Sequence, residues 1–233
     1  MKLAVMQPYL LPYMGYFQLM AAVDKFVIYD DVQFIKGGWI NRNRILLNGR
    51  EHLFTAPLLG ASSNRLISEL ELVTKPDWRG KLLRTIEQAY RSAPQFSQVL
   101  PLLTDVITWP ERQLSGYLLH CLRELKIYLD IPTKLITTSA DYQNQGLKGQ
   151  ERILDICRRE GASIYVNASG GRELYNPEAF REKGIALRFL DSEPFEYNQG
   201  TAQFHPSLSI VDALMFNDRE EVRALLVKAA LSP

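Results

Sequence analysis

Short apolar runs alternate with amphipathic stretches at both ends of the chain, and a purely helical pattern separates them. Leu3 to Met6 is apolar and stops at Gln7-Pro8, which predicts a buried strand. Gly15 to Val23 carries apolar residues at helical spacing, and Phe26 to Val32 reads as a second strand ending in the pair Asp30-Asp31. Gly37-Gly38 marks a turn. Ile45–Leu47 and His52–Pro57 flank Asn48-Gly49, a dipeptide that favours tight hairpins because both positions tolerate left-handed backbone. Leu66 to Val73 alternates like a further strand. Three helical patterns follow, at 77–92, about 97–108 and 111–129, punctuated by Pro94, Pro101 and Pro110. After Pro132 the alternation resumes: a strand at Thr133–Thr138, a helix at Gly149–Arg159, a strand at Ser163–Ala168, a Gly170-Gly171 loop, and a short helix from about Pro177. Ile185–Leu190 reads as the final strand, and the end is helical from about Ser209 to Leu231. Strand–helix–strand order at both ends implies right-handed crossovers and a mainly parallel sheet. The predicted organisation is an α/β domain formed by 1–76 and 130–233, with a helical insertion or subdomain at 77–129.

Composition narrows the class. With 233 residues and 46% hydrophobic content, the chain is long enough for one large core. Its 27 basic and 26 acidic residues give a formal net charge of +1, so the totals offer no broad basic face and nucleic acid is not the expected partner. Cys121 and Cys157 lie in helical patterns beside apolar residues, without metal-ligand spacing. They are expected as buried, reduced thiols of a cytoplasmic protein. No apolar run approaches the ~20 residues of a membrane span, and the apolar N-terminal run is too short for a secretory signal.

Two segments concentrate candidate chemistry. The first, from Gln7 to Gln18, lies between a strand and a helix, at the carboxyl end of a parallel strand where ligands usually bind. Gln7, Tyr9, Tyr13 and Tyr16 offer polar and aromatic groups, and Gly15 near the helix start permits close backbone approach. The structural alternative is a rigid Pro/Tyr turn packed on the core. The second segment runs from Asp30 to Arg44. Asp30 and Asp31 are candidate catalytic acids or bases, or together a pair of oxygen ligands for a divalent cation. Gln33, Lys36, Trp39, Asn41, Arg42, Asn43 and Arg44 supply donors, positive charge and a stacking surface. Here the alternative is a solvated hairpin. Further on, Asn167, Gly170, Gly171 and Tyr175 follow a predicted strand, and His205 is a candidate general acid or base. Gly146-Leu147-Lys148-Gly149 opens a helix but lacks phosphate-loop spacing.

The stretches QPYLLPYMGYFQL, DKFVIYDDVQFIKGGWINRNRI, YVNASGGRELY and FHPSLSIVDALMFN closely resemble the WbqC-like protein family, in order and across almost the whole chain. Members of that family are found with genes for bacterial surface-polysaccharide and O-antigen synthesis. The resemblance therefore implies a transferase acting on a nucleotide-linked or amino sugar, with a small-molecule nucleotide or sugar-phosphate substrate and other glycan-synthesis enzymes as partners. Lys36, Arg42 and Arg44 would then hold phosphate, and Tyr13, Tyr16 and Trp39 would stack on a ring. The alternative is a binding module without catalysis. The opening also resembles, more distantly, nucleotidylyltransferases and pantothenate synthetases, which implies a nucleotidylyltransferase-like (HUP-like) α/β fold. Their His-x-Gly-His motif corresponds to Tyr13-Met14-Gly15-Tyr16, where phenols stand in place of imidazoles and carry no positive charge at neutral pH.

Overall fold

The computed structural model describes residues 1–191 and 196–233. Strand β1 (Lys2–Met6) leads through the Pro8–Pro12 loop into helix α1 (Met14–Ala21). Strand β2 (Lys25–Ile28) returns parallel to β1, in register from Leu3↔Lys25 to Met6↔Ile28. It ends earlier than the predicted 26–32, so Asp30 and Asp31 sit in the turn beyond it. The hairpin of β3 (Arg42–Leu47) and β4 (Arg50–Thr55) follows. Its turn places Asn48 at φ 53° and Gly49 at φ 71°, the left-handed pair that a two-residue turn needs to match strand twist.

The strand expected over 66–73 does not form. A 3-10 turn (Ile67–Glu69) occupies its start, and a two-residue β6 (Glu71–Leu72) pairs with β5 (Leu58–Leu59). The backbone of this segment bonds to three separate partners: Ile67 N donates to Val32 O, Leu72 N to Arg112 O, and Leu70 O accepts from Leu114 N. No single ladder can extend through it.

Helices α2 (Trp78–Tyr90), α3 (Phe96–Thr108) and α4 (Leu114–Tyr128) occupy the 77–129 region. Then β7 (Lys134–Ile136), α5 (Gly149–Glu160), β8 (Ile164–Ala168), α6 (Pro177–Glu182) and β9 (Ala186–Asp191) complete the parallel strands. The helical end expected over 209–231 is two helices and a strand. α7 (Ile210–Phe216) stops at Asn217, and Asp218 caps α8 (Arg219–Leu226) by accepting from Glu221 N at 2.8 Å. The last strand is therefore β10 (Ala230–Ser232), antiparallel to β9, rather than 185–190. Among the described residues no helix is long and apolar enough to cross a membrane.

The six-stranded sheet has the order β10-β9-β8-β1-β2-β7. Alternate side chains go to opposite faces. Ala4, Phe26, Ile28 and Val166 face α1–α4, α7 and α8, whereas Leu3, Val5, Val27 and Tyr165 face α5 and α6. The core of the 77–129 helices is continuous with the first of these faces. Counted along the chain, the five parallel strands lie 3-2-1-4-5. The order reverses between β1 and β8, where the following connections leave toward opposite faces and open a crevice at the carboxyl ends.

Candidate functional site

A cavity of about 700 Å³ occupies that crevice. Met6 and Gln7 at the end of β1 and Asn167, Ala168 and Ser169 at the end of β8 form its floor, joined by Tyr29 just past β2. Tyr9, Tyr13 and Gly15 line one wall, and Ile35, Trp39, Asn43 and Arg44 another. Gly170, Gly171, Leu174 and Tyr175 belong to the 3-10 segment Ser169–Leu174 and its exit, where a loop was expected. Ser207 closes the circuit.

The Pro/Tyr loop is held by buried Asn43. Its Nδ2 donates to Leu10 O at 3.1 Å and Leu11 O at 2.8 Å, while its Oδ1 accepts from Arg44 N at 2.8 Å. That clamp fixes Leu11 at φ 43° and leaves Asn43 no free amide donor or acceptor beyond a lone pair. Ser209 Oγ donates to Leu11 O at 2.7 Å from the other side. Gly171 is a glycine for space: a Cβ there would lie 2.5 Å from Asn167 Nδ2. The glycine thus lets the buried Asn167 amide stand at the cavity floor.

The electrostatics favour an anionic or neutral ligand. Among the described lining residues Arg44 carries the only formal charge and no carboxylate is present. Arg44 bonds Glu51 at 2.8 Å and reaches Pro206 O at 3.3 Å, with its guanidinium 5.6 Å from the Trp39 ring. Burial raises the phenols: Tyr9 to about 12, and Tyr13, Tyr29 and Tyr175 upward as well. All four are neutral hydrogen-bond donors at neutral pH, not bases.

Several of the expected site residues lie elsewhere. Tyr16 is fully buried, and its hydroxyl donates to Gln7 O at 3.0 Å, so the second phenol of Tyr13-Met14-Gly15-Tyr16 belongs to the core. Asp30 accepts from Ser115 Oγ at 2.5 Å, Thr138 Oγ1 at 2.7 Å and Ser139 N at 3.2 Å. Asp31 pairs with buried Arg152, whose Nη2 lies 2.6 and 2.5 Å from its two oxygens, and accepts from Ser139 Oγ and from Gln145 at 3.0 Å. Neither carboxylate lines the cavity. A divalent cation there would have to displace Arg152, so the pair is a poor cation site. Among the described residues no group of three or more His, Cys, Asp or Glu is arranged to hold a metal.

Arg42 also turns away from the cavity. Its guanidinium donates to Gly38 O at 2.9 Å and to Gly37 O, clamping the Gly-Gly turn, and lies 5.6 Å from the Trp39 ring. Asn41 Nδ2 donates to Ala56 O at 2.9 Å. Gln33 and Lys36 are exposed outside the lining, with Gln33 forming a bridge to Leu66. His205 is tied through its backbone to Gln199, 2.8 and 2.9 Å, and does not line the cavity. Strand periodicity concealed Tyr29, placed inside a predicted strand, and Ile35, Leu174 and Ser207 had no polar pattern to mark them. Cys121 and Cys157 are free and buried, and burial pushes both thiols up to about 12.

The model of the WbqC-like protein family matches residues 7–224. This chain belongs to the WbqC-like family. It is 32% identical over 219 residues to the "Uncharacterized protein Rv1507c" of Mycobacterium tuberculosis (strain ATCC 25618 / H37Rv), covering 93% of each chain. No solved structure matches. The four stretches that carry the resemblance meet at the cavity. The first gives Gln7, Tyr9, Tyr13 and Gly15, and the second gives Tyr29, Trp39 and Arg44. The third gives Asn167, Ala168, Ser169, Gly170, Gly171, Leu174 and Tyr175, and the fourth gives Ser207.

Proposed function

We propose that the cavity binds a phosphorylated or nucleotide-linked sugar and that the protein is a transferase of bacterial surface-glycan synthesis, of the O-antigen type. The observation that carries this reading is the charge pattern at the switch point. Arg44, whose outer edge pairs with Glu51, is the one charged residue among the described lining residues, set amid uncharged tyrosines, amides and hydroxyls. A phosphate would accept from the Arg44 guanidinium and from the first turn of α1, whose N-cap Tyr13 supplies no side-chain cap. Trp39 and the tyrosines offer faces for a base or pyranose ring, and Gln7, Asn167 and Ser169 offer hydrogen bonds to hydroxyls.

The same lining supports an amine as the acceptor. No described lining residue is a base at neutral pH, so a sugar hydroxyl would lack an acceptor for its proton. An amino sugar is a nucleophile in its free form, and an amine beside electron-withdrawing oxygens, with a pKa of about 8 like an α-amino group, is partly unprotonated at pH 7. Held beside a nucleotide-linked sugar, the amine nitrogen would bond to the anomeric carbon as the bond from that carbon to the phosphate oxygen breaks. The nucleotide would leave with its phosphate held at Arg44, the amine proton passing to the released phosphate or to water; proximity supplies the catalysis. The lack of a lining base also favours the second reading, a binding module that presents its ligand to a partner enzyme. Incubating the protein with nucleotide sugars and amino-sugar acceptors, followed by mass spectrometry, separates the two. A mass shift on the amine supports the transferase. Saturable binding without any shift leaves the binding module, and the absence of both rejects the site.

A further inference from the structure

We infer that the cavity mouth is a docking face for an anionic membrane surface. The inference is independent of the ligand assigned to the cavity. Three cavity-lining apolar residues project from the mouth: Ile35 is 53% exposed, Trp39 39% and Leu174 69%. Leu53, 50% exposed, stands opposite Arg44 in the β3–β4 register and so shares its hairpin face. Large aliphatic side chains gathered at one opening are costly to leave in water and mark a contact surface.

Charge identifies the occupant. Between Gln33 and Arg65 the chain has five basic residues, Lys36, Arg42, Arg44, Arg50 and Arg65, against one acid, Glu51. The whole chain carries only +1, so this segment is an island of positive charge. Arg42 and Arg44 both lie 5.6 Å from the exposed Trp39 ring, and the exposed Lys36 follows Ile35 directly. An indole flanked by two arginines, with Lys36 beside Ile35, matches the headgroup boundary of an anionic bilayer, where aromatic rings settle and each basic residue adds attraction. A second copy of the chain would bring one basic face against another. A nucleic acid would meet the arginines and Trp39 but would gain nothing from Ile35, Leu53 and Leu174, which favours lipid. Docked this way, the cavity opens toward the membrane surface.

The test is co-sedimentation of the protein with vesicles of phosphatidylcholine alone and of equimolar phosphatidylcholine and phosphatidylglycerol, free of any sugar lipid. The expected result is binding to the mixed vesicles and not to phosphatidylcholine alone. The double variant Ile35→Asn, Leu174→Asn weakens it roughly tenfold or more, and Lys36→Glu weakens it several-fold. Val227→Asn, at a site 79% exposed elsewhere, serves as the control and leaves binding unchanged. Failure to sediment with the anionic vesicles overturns the inference, as does binding indifferent to the double variant. Retention of single-stranded RNA that salt abolishes and the double variant leaves intact, with no vesicle binding, assigns the face to nucleic acid instead. Sugar binding is measured in solution without lipid, so a failure of either reading leaves the other standing.

Discussion

Arg152→Ala should unfold this protein far more readily than the loss of one surface cation would. Arg152 and Asp31 are each 4% exposed at the side chain, and Nη2 reaches both carboxylate oxygens within 2.6 Å. The same guanidinium donates from Nε to Asn144 Oδ1 at 2.9 Å and sits 4.9 Å from the Tyr29 ring at the cavity floor. Removing it strands a buried carboxylate with only Ser139 and Gln145 as donors among the described residues. Breaking a buried pair in this way costs about 3–5 kcal/mol, against ~0–1 kcal/mol for an exposed one. For a chain of this length that corresponds to a fall in melting temperature of roughly 6–20 °C. Urea unfolding followed by circular dichroism measures the loss. Asp31→Leu with Arg152→Met, which removes both charges and keeps apolar volume, should recover most of it. A loss under about 1 kcal/mol for Arg152→Ala would refute the reading of Asp31 as a structural anchor and return it to the candidates for chemistry.

Gly171→Ala should destabilise by about 1–3 kcal/mol, because its Cβ would crowd Asn167 Nδ2, whereas Gly170→Ala, with nothing within 4 Å, should not. Equal effects in thermal melts would contradict the packing argument. Asp212 is fully buried beside the Tyr90 hydroxyl at 2.8 Å, and burial, opposed by Tyr90, Tyr197, Gln199 and His205, raises it to about 6. Its folded value lies above the usual 3.8, so the native state holds the proton more tightly between those values. Stability from this group is greatest below pH 4 and is lost as pH rises through 6, by about 2–3 kcal/mol. Asp212→Asn should flatten that part of the stability-versus-pH curve, and parallel curves for the two proteins would show the assignment to be mistaken.

The sheet was legible because its strands are short, apolar and separated by amphipathic helices. Leu3–Met6, the Asn48-Gly49 turn and the 77–129 helices needed no tertiary information. The 66–73 segment misled because its apolar spacing serves three different partners. The break at Asn217-Asp218 is a capping event inside a run that remains apolar on both sides. At the site, the sequence could mark polar residues but not the direction in which they point. Asp31 and Arg152 are 121 positions apart, so their pairing emerges only when α5 packs beside the turn after β2. Arg42 and Arg44 look alike in the chain, yet one clamps Gly37 and Gly38 and the other faces the cavity. Tyr29 and Asn167 reach one floor only because the sheet order reverses between β1 and β8.

The central claim is that Arg44 makes this cavity a phosphate-bearing sugar site. Isothermal titration of nucleotide sugars, sugar phosphates and the matching free sugars into the wild-type protein and Arg44→Ala tests it most directly. Loss of a hydrogen bond to a charged group is worth about 1.5–3 kcal/mol, so the variant should bind phosphorylated ligands roughly 10- to 150-fold more weakly. Its affinity for the free sugars should stay unchanged. Its stability in urea should fall by no more than about 1 kcal/mol, since the Glu51 pair it loses is partly exposed. Unaltered affinity for the phosphorylated ligands in Arg44→Ala, or no binding of any of them to the wild-type protein, would contradict the account.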